Sequence, residues 1–366
     1  MKASLLQKKF LNLLSAAIWD KPADSSLFVE MDANQWNDLN NLAGRQTVSA
    51  LIADKALSLP KDCLPPRTVM MQYLILIEQT EALNRKMMQV LSDVKKEYDA
   101  AGFAFCILKG LANGKNYPQP LLRNPGDIDL FLYGPRDYEK ATEWLKKKGI
   151  NVEYGDRIHN KYSKDGIWIE NHKRITYFEN SRSDKLFKTW ERELSVNENF
   201  SVVEIDRLQV KQLPVEMNAL YIFHHLFQHF YHLGVGLRQV CDWVLYLSHY
   251  KNEIDPASFT KLATSYALLY PMQVFANVAI NYLDAPLDIF PFNLTEDDTY
   301  TWMVMEDILK GGNFGFHRSD KKIPKRAALR RWTYFNATIK RSKKFASISP
   351  EHIKMLPLRK IVSRGR

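Results

Sequence analysis

Cysteine is scarce in this sequence, and long apolar runs are missing. The three cysteines, Cys63, Cys106 and Cys241, are far apart, odd in number and without CxxC spacing. That excludes a disulfide framework and a cysteine zinc site, and leaves buried free thiols in a reducing cytoplasm as the expectation. The most apolar stretch, residues 266–283, is interrupted by Pro271, Gln273, Asn277 and Asn281. A membrane-spanning helix needs about 20 nearly uninterrupted apolar residues, so a buried helix is expected there instead. Residues 1–20 carry Lys2, Lys8 and Lys9, but their apolar positions recur at helical spacing, so no secretory signal is read and a cytoplasmic location is expected. Repeats and low-complexity segments are absent. So are a GxSxG elbow, a GxxxxGKS/T phosphate loop and any recognisable Cys–His spacing, which removes the usual signatures of nucleophilic triads and P-loop enzymes.

What is present fits a globular protein of two or three domains: 366 residues, 46% apolar and 25% charged, with 17 Tyr, 19 Phe and 8 Trp to build a bulky core. The net charge of +10 is unevenly spread. Residues 321–366 hold fifteen Lys or Arg against the single acid Glu351, leaving the other 320 residues at −4. Such an end could touch nucleic acid, an anionic membrane surface or an acidic partner, or be a solvated face balancing the acidic body. Its aromatics, Trp332, Tyr334 and Phe335, form one short cluster without an RNA-binding signature.

Apolar spacing of three and four predicts helices over the first hundred residues, with Asp32 as an N-cap and the longest helix running from Arg67 to Ala101. The pattern then changes. Residues 103–108 and 128–133 read as strands, 111–117 and 137–148 as helices, and 151–154 and 167–170 as further strands around a turn at 164–166. From Leu213 helical spacing returns, with helices expected at 213–233, 237–250, 256–283 and 296–310. The expected fold is α+β: a small mixed α/β core over residues 102–212, flanked by an N-terminal helical region (1–101) and a C-terminal one (213–318), with a basic segment over 319–366.

The strongest constellation spans Leu108 to Asp129. Asp127 and Asp129 stand two apart at the head of a strand, so their side chains leave on one face. With Ile128, Leu130 and Leu132 alternating, one face of that strand should be buried and the aspartates should point away from it. Two carboxylates held so closely repel and favour a divalent cation, and hard oxygen ligands suit Mg²⁺ or Mn²⁺. Upstream, Lys109-Gly110 sits between a buried strand and an expected helix, where glycine lets a phosphate approach the backbone and lysine adds a cation. Glu170, ending the strand Ile167-Trp168-Ile169, is the candidate third acid for a two-metal centre. Arg123, four residues before Asp127, could meet a phosphate or pair with one of the aspartates. His172 could orient Glu170, ligate metal or contact substrate.

This arrangement resembles the nucleotidyltransferase superfamily of the DNA polymerase β type. It is more closely similar to a bacterial family of uncharacterised nucleotidyltransferases. The residues that carry the likeness are Lys109-Gly110, Tyr117-Pro118, Arg123, Asp127-Ile128-Asp129 and Glu170-Asn171-His172, then His225, His229, Leu237-Arg238, Asp242-Trp243 and Gly311-Gly312-Asn313-Phe314. The resemblance implies a metal-dependent enzyme that moves a nucleoside monophosphate from an NTP such as ATP to an unidentified acceptor, releasing pyrophosphate. Asp127, Asp129 and Glu170 would hold Mg²⁺ or Mn²⁺, and Lys109, Gly110, Arg123 and His172 would handle the nucleotide. Two departures stand out: KG where the superfamily has GG or GS, and a longer gap from Gly110 to Asp127. They leave open a catalytically degenerate member that binds a nucleotide or a partner, and the basic end leaves open a nucleic-acid-binding module.

The histidines at 225, 229 and 232 share one helix face, but HLFQH lacks the glutamate of a zincin. Buried or site-lining histidines are expected rather than a zinc centre, with Asp242 as a hydrogen-bond partner for one of them.

Overall fold

Local signals in the sequence set many element boundaries in the computed structural model, which describes residues 3–155, 158–315 and 326–354. Ser4 and Asp32 each close a capping box with the glutamine three residues on, Gln7 and Gln35, satisfying two otherwise unpaired backbone N–H groups apiece. Helices α1 (Leu5–Ile18), α2 (Ala33–Gln46), α3 (Ser49–Leu57) and α4 (Arg67–Ala101) come first. Then follow β1 (Phe105–Leu108), α5 (Leu111–Gly114), β2 (Ile128–Leu132), α6 (Asp137–Lys147), β3 (Glu153–Tyr154), β4 (His159–Lys164) and β5 (Ile167–His172). Helix α7 (Ser181–Asn197) and the hairpin β6 (Ser201–Ile205) and β7 (Leu208–Gln212) lead to α8 (Val215–His232) and α9 (Leu237–Tyr250). The chain continues through α10 (Pro256–Ser265), α11 (Leu269–Leu283), α12 (Thr301–Gly311), α13 (Ala327–Phe345) and α14 (Pro350–Ile353). The expected mixed α/β core between helical regions is therefore present. Among the described residues no helix is long and apolar enough to cross a membrane.

The chain divides into two compact units. One comprises Glu78–Tyr177 and Asp184–Asn218, and the other the residues up to Ile77, Phe178–Ser183 and those from Ala219 on.

In the α/β unit the sheet order is β1-β2-β5-β4-β3, with β2 and β5 parallel and the other pairs antiparallel. One face carries Ile107, Ile128, Leu130, Leu132 and Ile169 and packs on Met87, Leu91, Val94 and Tyr98 of α4. Burying those alternate positions is what fixes the strand register, since a one-residue slip would turn them outward. The opposite face differs from expectation. β2 is the second strand of five and is buried throughout, with Asp129 1% and Phe131 3% exposed, so Asp129 points into the protein rather than out of it.

Two further departures have a local cause. β4 is absent from the apolar pattern because its inward face is polar: Asn160 donates to the Thr142 hydroxyl (2.7 Å) and the Tyr162 hydroxyl lies 3.1 Å from that of Tyr98. The β6–β7 hairpin turns through Asp206 and Arg207, both with positive φ, where Asn-Gly is the usual signal.

In the helical unit Trp36 is enclosed, stacked on Phe28 and edge-on to Tyr73. The buried Gln46 donates to the Ile308 carbonyl and accepts from the Leu237 N–H, tying α2 to α12 and to the start of α9. The helix expected over 256–283 is two helices, parted at residues 266–268 where Ala267 has φ +57. The helix expected over 296–310 begins only at Thr301. Of the basic segment expected over 319–366, residues 326–354 are described, without the side chains of 327, 328, 330, 331, 334 and 337; the remainder lies outside the described residues. Its described part is no plain solvated face: Arg341, Phe345, Ile348, His352 and Ile353 are buried.

Candidate metal and nucleotide site

The site grows out of strand register. Antiparallel pairing sets Leu108 of β1 opposite Asp129, and parallel pairing sets Glu170 of β5 opposite Asp129 on the other side. Asp127 precedes Asp129 by one pleat period, so all three acids emerge on one face. One carboxylate oxygen from each of Asp127, Asp129 and Glu170 lies within 4.8 Å of the others. Lys109 and Gly110 follow β1 directly, with φ of +29 and +55. At Gly110 the pair of angles, φ 55 and ψ −120, is one that glycine alone adopts readily. A Cβ there would stand 3.3 Å from the Asp127 carbonyl, so this glycine lets the turn lie against the entry to β2. The helix expected over 111–117 is a single turn, Leu111–Gly114, followed by further turns at Asn116 and Tyr117.

Charge in the site is concentrated on Asp129. Its Oδ1 lies 3.1 Å from the Lys109 ammonium and 3.0 Å from His172 Nε2. Its Oδ2 is buried without a hydrogen-bond partner. A carboxylate oxygen so placed is costly unless a cation or donor reaches it, and three carboxylates are the donor set that a hard divalent ion prefers. The residues present therefore fit Mg²⁺ or Mn²⁺.

Burial pulls the His172 imidazolium down, but the hydrogen bond to Asp129, the nearby Glu170 carboxylate and the Asp129 charge outweigh it and raise the pKa to about 9. A histidine whose pKa is raised by folding stabilises the fold fully below its ordinary value of about 6.5 and loses that contribution as pH climbs through the raised value. In chelator, the stability conferred by His172 should thus fall by about 3 kcal/mol between pH 6.5 and 9.5. Denaturant unfolding of the protein and of His172→Gln over that range reads it: the two curves should converge as pH rises, and parallel curves would contradict the assignment.

Arg123 and the α8 histidines stand outside the acidic set itself. Arg123 is buried in a loop pinned by Asn84, whose side-chain amide donates to the Leu121 and Arg123 carbonyls. It lines a cavity of about 190 Å³ with Leu111, Lys115, Glu204 and Asp206, and none of the three acids lines that cavity. In the helical unit, His225 and His229 bring their Nε2 atoms to 3.1 Å, and His232 lies 3.2 Å from Glu179. His224 is buried against the Phe178 ring at 3.8 Å, and burial holds its pKa well below the ordinary histidine range. Among the described residues, the groups of three able to hold a metal are Asp127, Asp129 and Glu170, and His159, Glu170 and His172; the α8 histidines form none.

His159 was not legible as a site residue. It lies on the polar strand β4, and only the β4–β5 pairing sets it opposite His172.

No curated protein matches the chain. A solved structure, that of an antigenic nucleotidyltransferase-like protein from Paracoccidioides brasiliensis, aligns with 54% of this chain and 91% of its own at 16% identity and a TM-score of 0.35. The model of the family described as uncharacterised nucleotidyltransferase matches residues 32–283. With most of its length matched, the chain belongs to the family of uncharacterised nucleotidyltransferases.

Proposed function

We propose that this protein transfers a nucleoside monophosphate from an NTP to an acceptor, using a divalent metal, Mg²⁺ or Mn²⁺, held by Asp127, Asp129 and Glu170. The observation that carries the reading is the convergence of those three carboxylates across β2 and β5, with Asp129 Oδ2 buried and unpartnered among them. When bound, the metal would neutralise charge developing on the transferred phosphoryl group. An acceptor hydroxyl attacks the α-phosphorus, the bond between that phosphorus and the bridging oxygen breaks, and pyrophosphate leaves. Asp127 and Glu170 are the partly exposed members of the acidic set, so they are the ones an acceptor can reach and pass its proton to. Lys109 and the Gly110 turn beside Asp129 receive the triphosphate: lysine supplies charge and glycine the close backbone approach. Arg123 and His172 are proposed to assist, His172 by holding the Asp129 carboxylate in place.

A second reading, a degenerate member that binds nucleotide without turnover, is favoured by the Lys109–Asp129 ion pair, which already satisfies part of the metal-facing charge. Calorimetry with each NTP separates the two. The catalytic reading predicts binding that needs Mg²⁺ and is weakened about tenfold or more by Lys109→Ala, as expected when a charged hydrogen-bond partner is removed. Binding that persists unchanged in chelator would favour the degenerate reading.

A further inference from the structure

We propose that His159, Glu170 and His172 form a second cation site that takes a borderline transition-metal ion such as Zn²⁺ or Co²⁺. It shares Glu170 with the acidic set but differs from it in chemistry. The site is built by the sheet itself: β4–β5 pairing sets His159 opposite His172, and Glu170 lies one pleat period before His172 on the same face of β5. One ligand atom from each residue lies within 4.8 Å of the others.

Glu170 stands beyond hydrogen-bond distance of both imidazoles, and His172 Nε2, now 3.0 Å from Asp129 Oδ1, would release its proton on ligating an ion. His159 Nε2 lies 3.6 Å from Glu170 Oε1, and His172 Nε2 lies 3.6 Å from Glu170 Oε2. A good N–H···O bond would bring such atoms to about 2.9 Å. The edge of a tetrahedron with metal–ligand bonds of about 2.1 Å is about 3.4 Å. Each carboxylate oxygen therefore faces its own imidazole at close to the spacing of two ligands on one ion.

Two further features point the same way. His172 is buried, which fixes its ring within the site. Gly155 lies against the His159 ring, so closely that a Cβ at that position would run into the imidazole. His159 and Glu170, with side chains 17% and 18% exposed, leave an approach from solvent.

The donor set decides the ion. Two imidazoles and one carboxylate prefer Zn²⁺ or Co²⁺ to Mg²⁺, whereas the all-oxygen set of Asp127, Asp129 and Glu170 suits Mg²⁺ or Mn²⁺. Imidazole ligation can thus be read in the presence of excess Mg²⁺ and without any nucleotide.

The test is a Co²⁺ titration of the full chain in excess Mg²⁺, followed by visible absorption. One Mg²⁺-resistant equivalent is expected. His159→Gln should weaken it by more than about 100-fold, beyond the 10–100-fold that loss of an outer-sphere partner costs. His159→Cys should bind Co²⁺ with a thiolate charge-transfer band, which only a direct ligand produces. Asp127→Asn should leave the Co²⁺ equivalent in place; if that variant instead keeps full Mg²⁺-dependent NTP binding, the proposed function fails while this site stands. Wild-type Co²⁺ affinity in His159→Gln, absence of the band in His159→Cys, or no Mg²⁺-resistant equivalent in the unaltered protein would overturn the proposal.

Discussion

Asp129→Asn is expected to reduce nucleotide transfer by about a thousandfold or more while leaving the protein folded. Losing a metal-organising carboxylate forfeits several kcal/mol of transition-state stabilisation, and each 1.36 kcal/mol is a factor of ten in rate. Asparagine nearly reproduces the shape, so the effect isolates the charge. With that charge gone, the buried imidazole of His172 loses the neighbour that keeps it protonated and reverts toward the neutral form, which relieves the cost of leaving a cation buried. Pyrophosphate release at saturating NTP and Mg²⁺ measures the outcome. A variant with wild-type turnover would remove Asp129 from the proposed centre.

Arg341→Ala carries the largest expected effect on stability, a loss of about 3–5 kcal/mol, as for breaking a buried ion pair from one side. Arg341 and Asp307 are each only 5% exposed in their side chains, with Nη1 2.8 Å from Oδ2 and 3.1 Å from Oδ1. Nη2 donates to the Phe230 carbonyl, and the guanidinium stacks over the rings of Phe230 and Phe345. Alanine would take from the buried Asp307 carboxylate the guanidinium that faces it. Removing both charges, as Arg341→Met with Asp307→Leu, should recover most of the loss, because an apolar pair of similar volume carries no desolvation cost. Chemical denaturation reads both variants. A single-variant loss below about 1 kcal/mol would mean that the pair is solvated and worth no more than a surface ion pair.

That arginine also shows where sequence reading reaches its limit. Fifteen basic residues near the end of the chain suggest a face for an acidic partner, because charge is visible in sequence and burial is not. Helices α1, α2, α4 and α9 were legible because capping residues and apolar spacing are local signals. β4 and the β6–β7 hairpin were not, because Asn160 pairs with Thr142 and Tyr162 with Tyr98 inside the unit, and Asp206-Arg207 turns without the usual glycine. The proposed centre follows the same division. Asp127, Asp129 and Lys109-Gly110 are close in sequence and were readable together, and Glu170 could be nominated from its strand. His159 needed the pairing of β4 with β5, a non-local fact. The burial of Asp129 likewise follows from β2 lying between β1 and β5, which alternation along a single strand does not reveal.

The central claim is most directly tested by following the α-phosphate. Each NTP, labelled at the α-phosphorus, is incubated with the protein, Mg²⁺ or Mn²⁺ and a cell extract as the source of acceptor. Mass spectrometry then looks for a gain of one nucleoside monophosphate. Label should move to an acceptor with release of pyrophosphate, stop in chelator, and vanish with Asp127→Ala or Asp129→Ala. Absence of metal-dependent label transfer from every NTP, or transfer that survives both substitutions, would contradict the account.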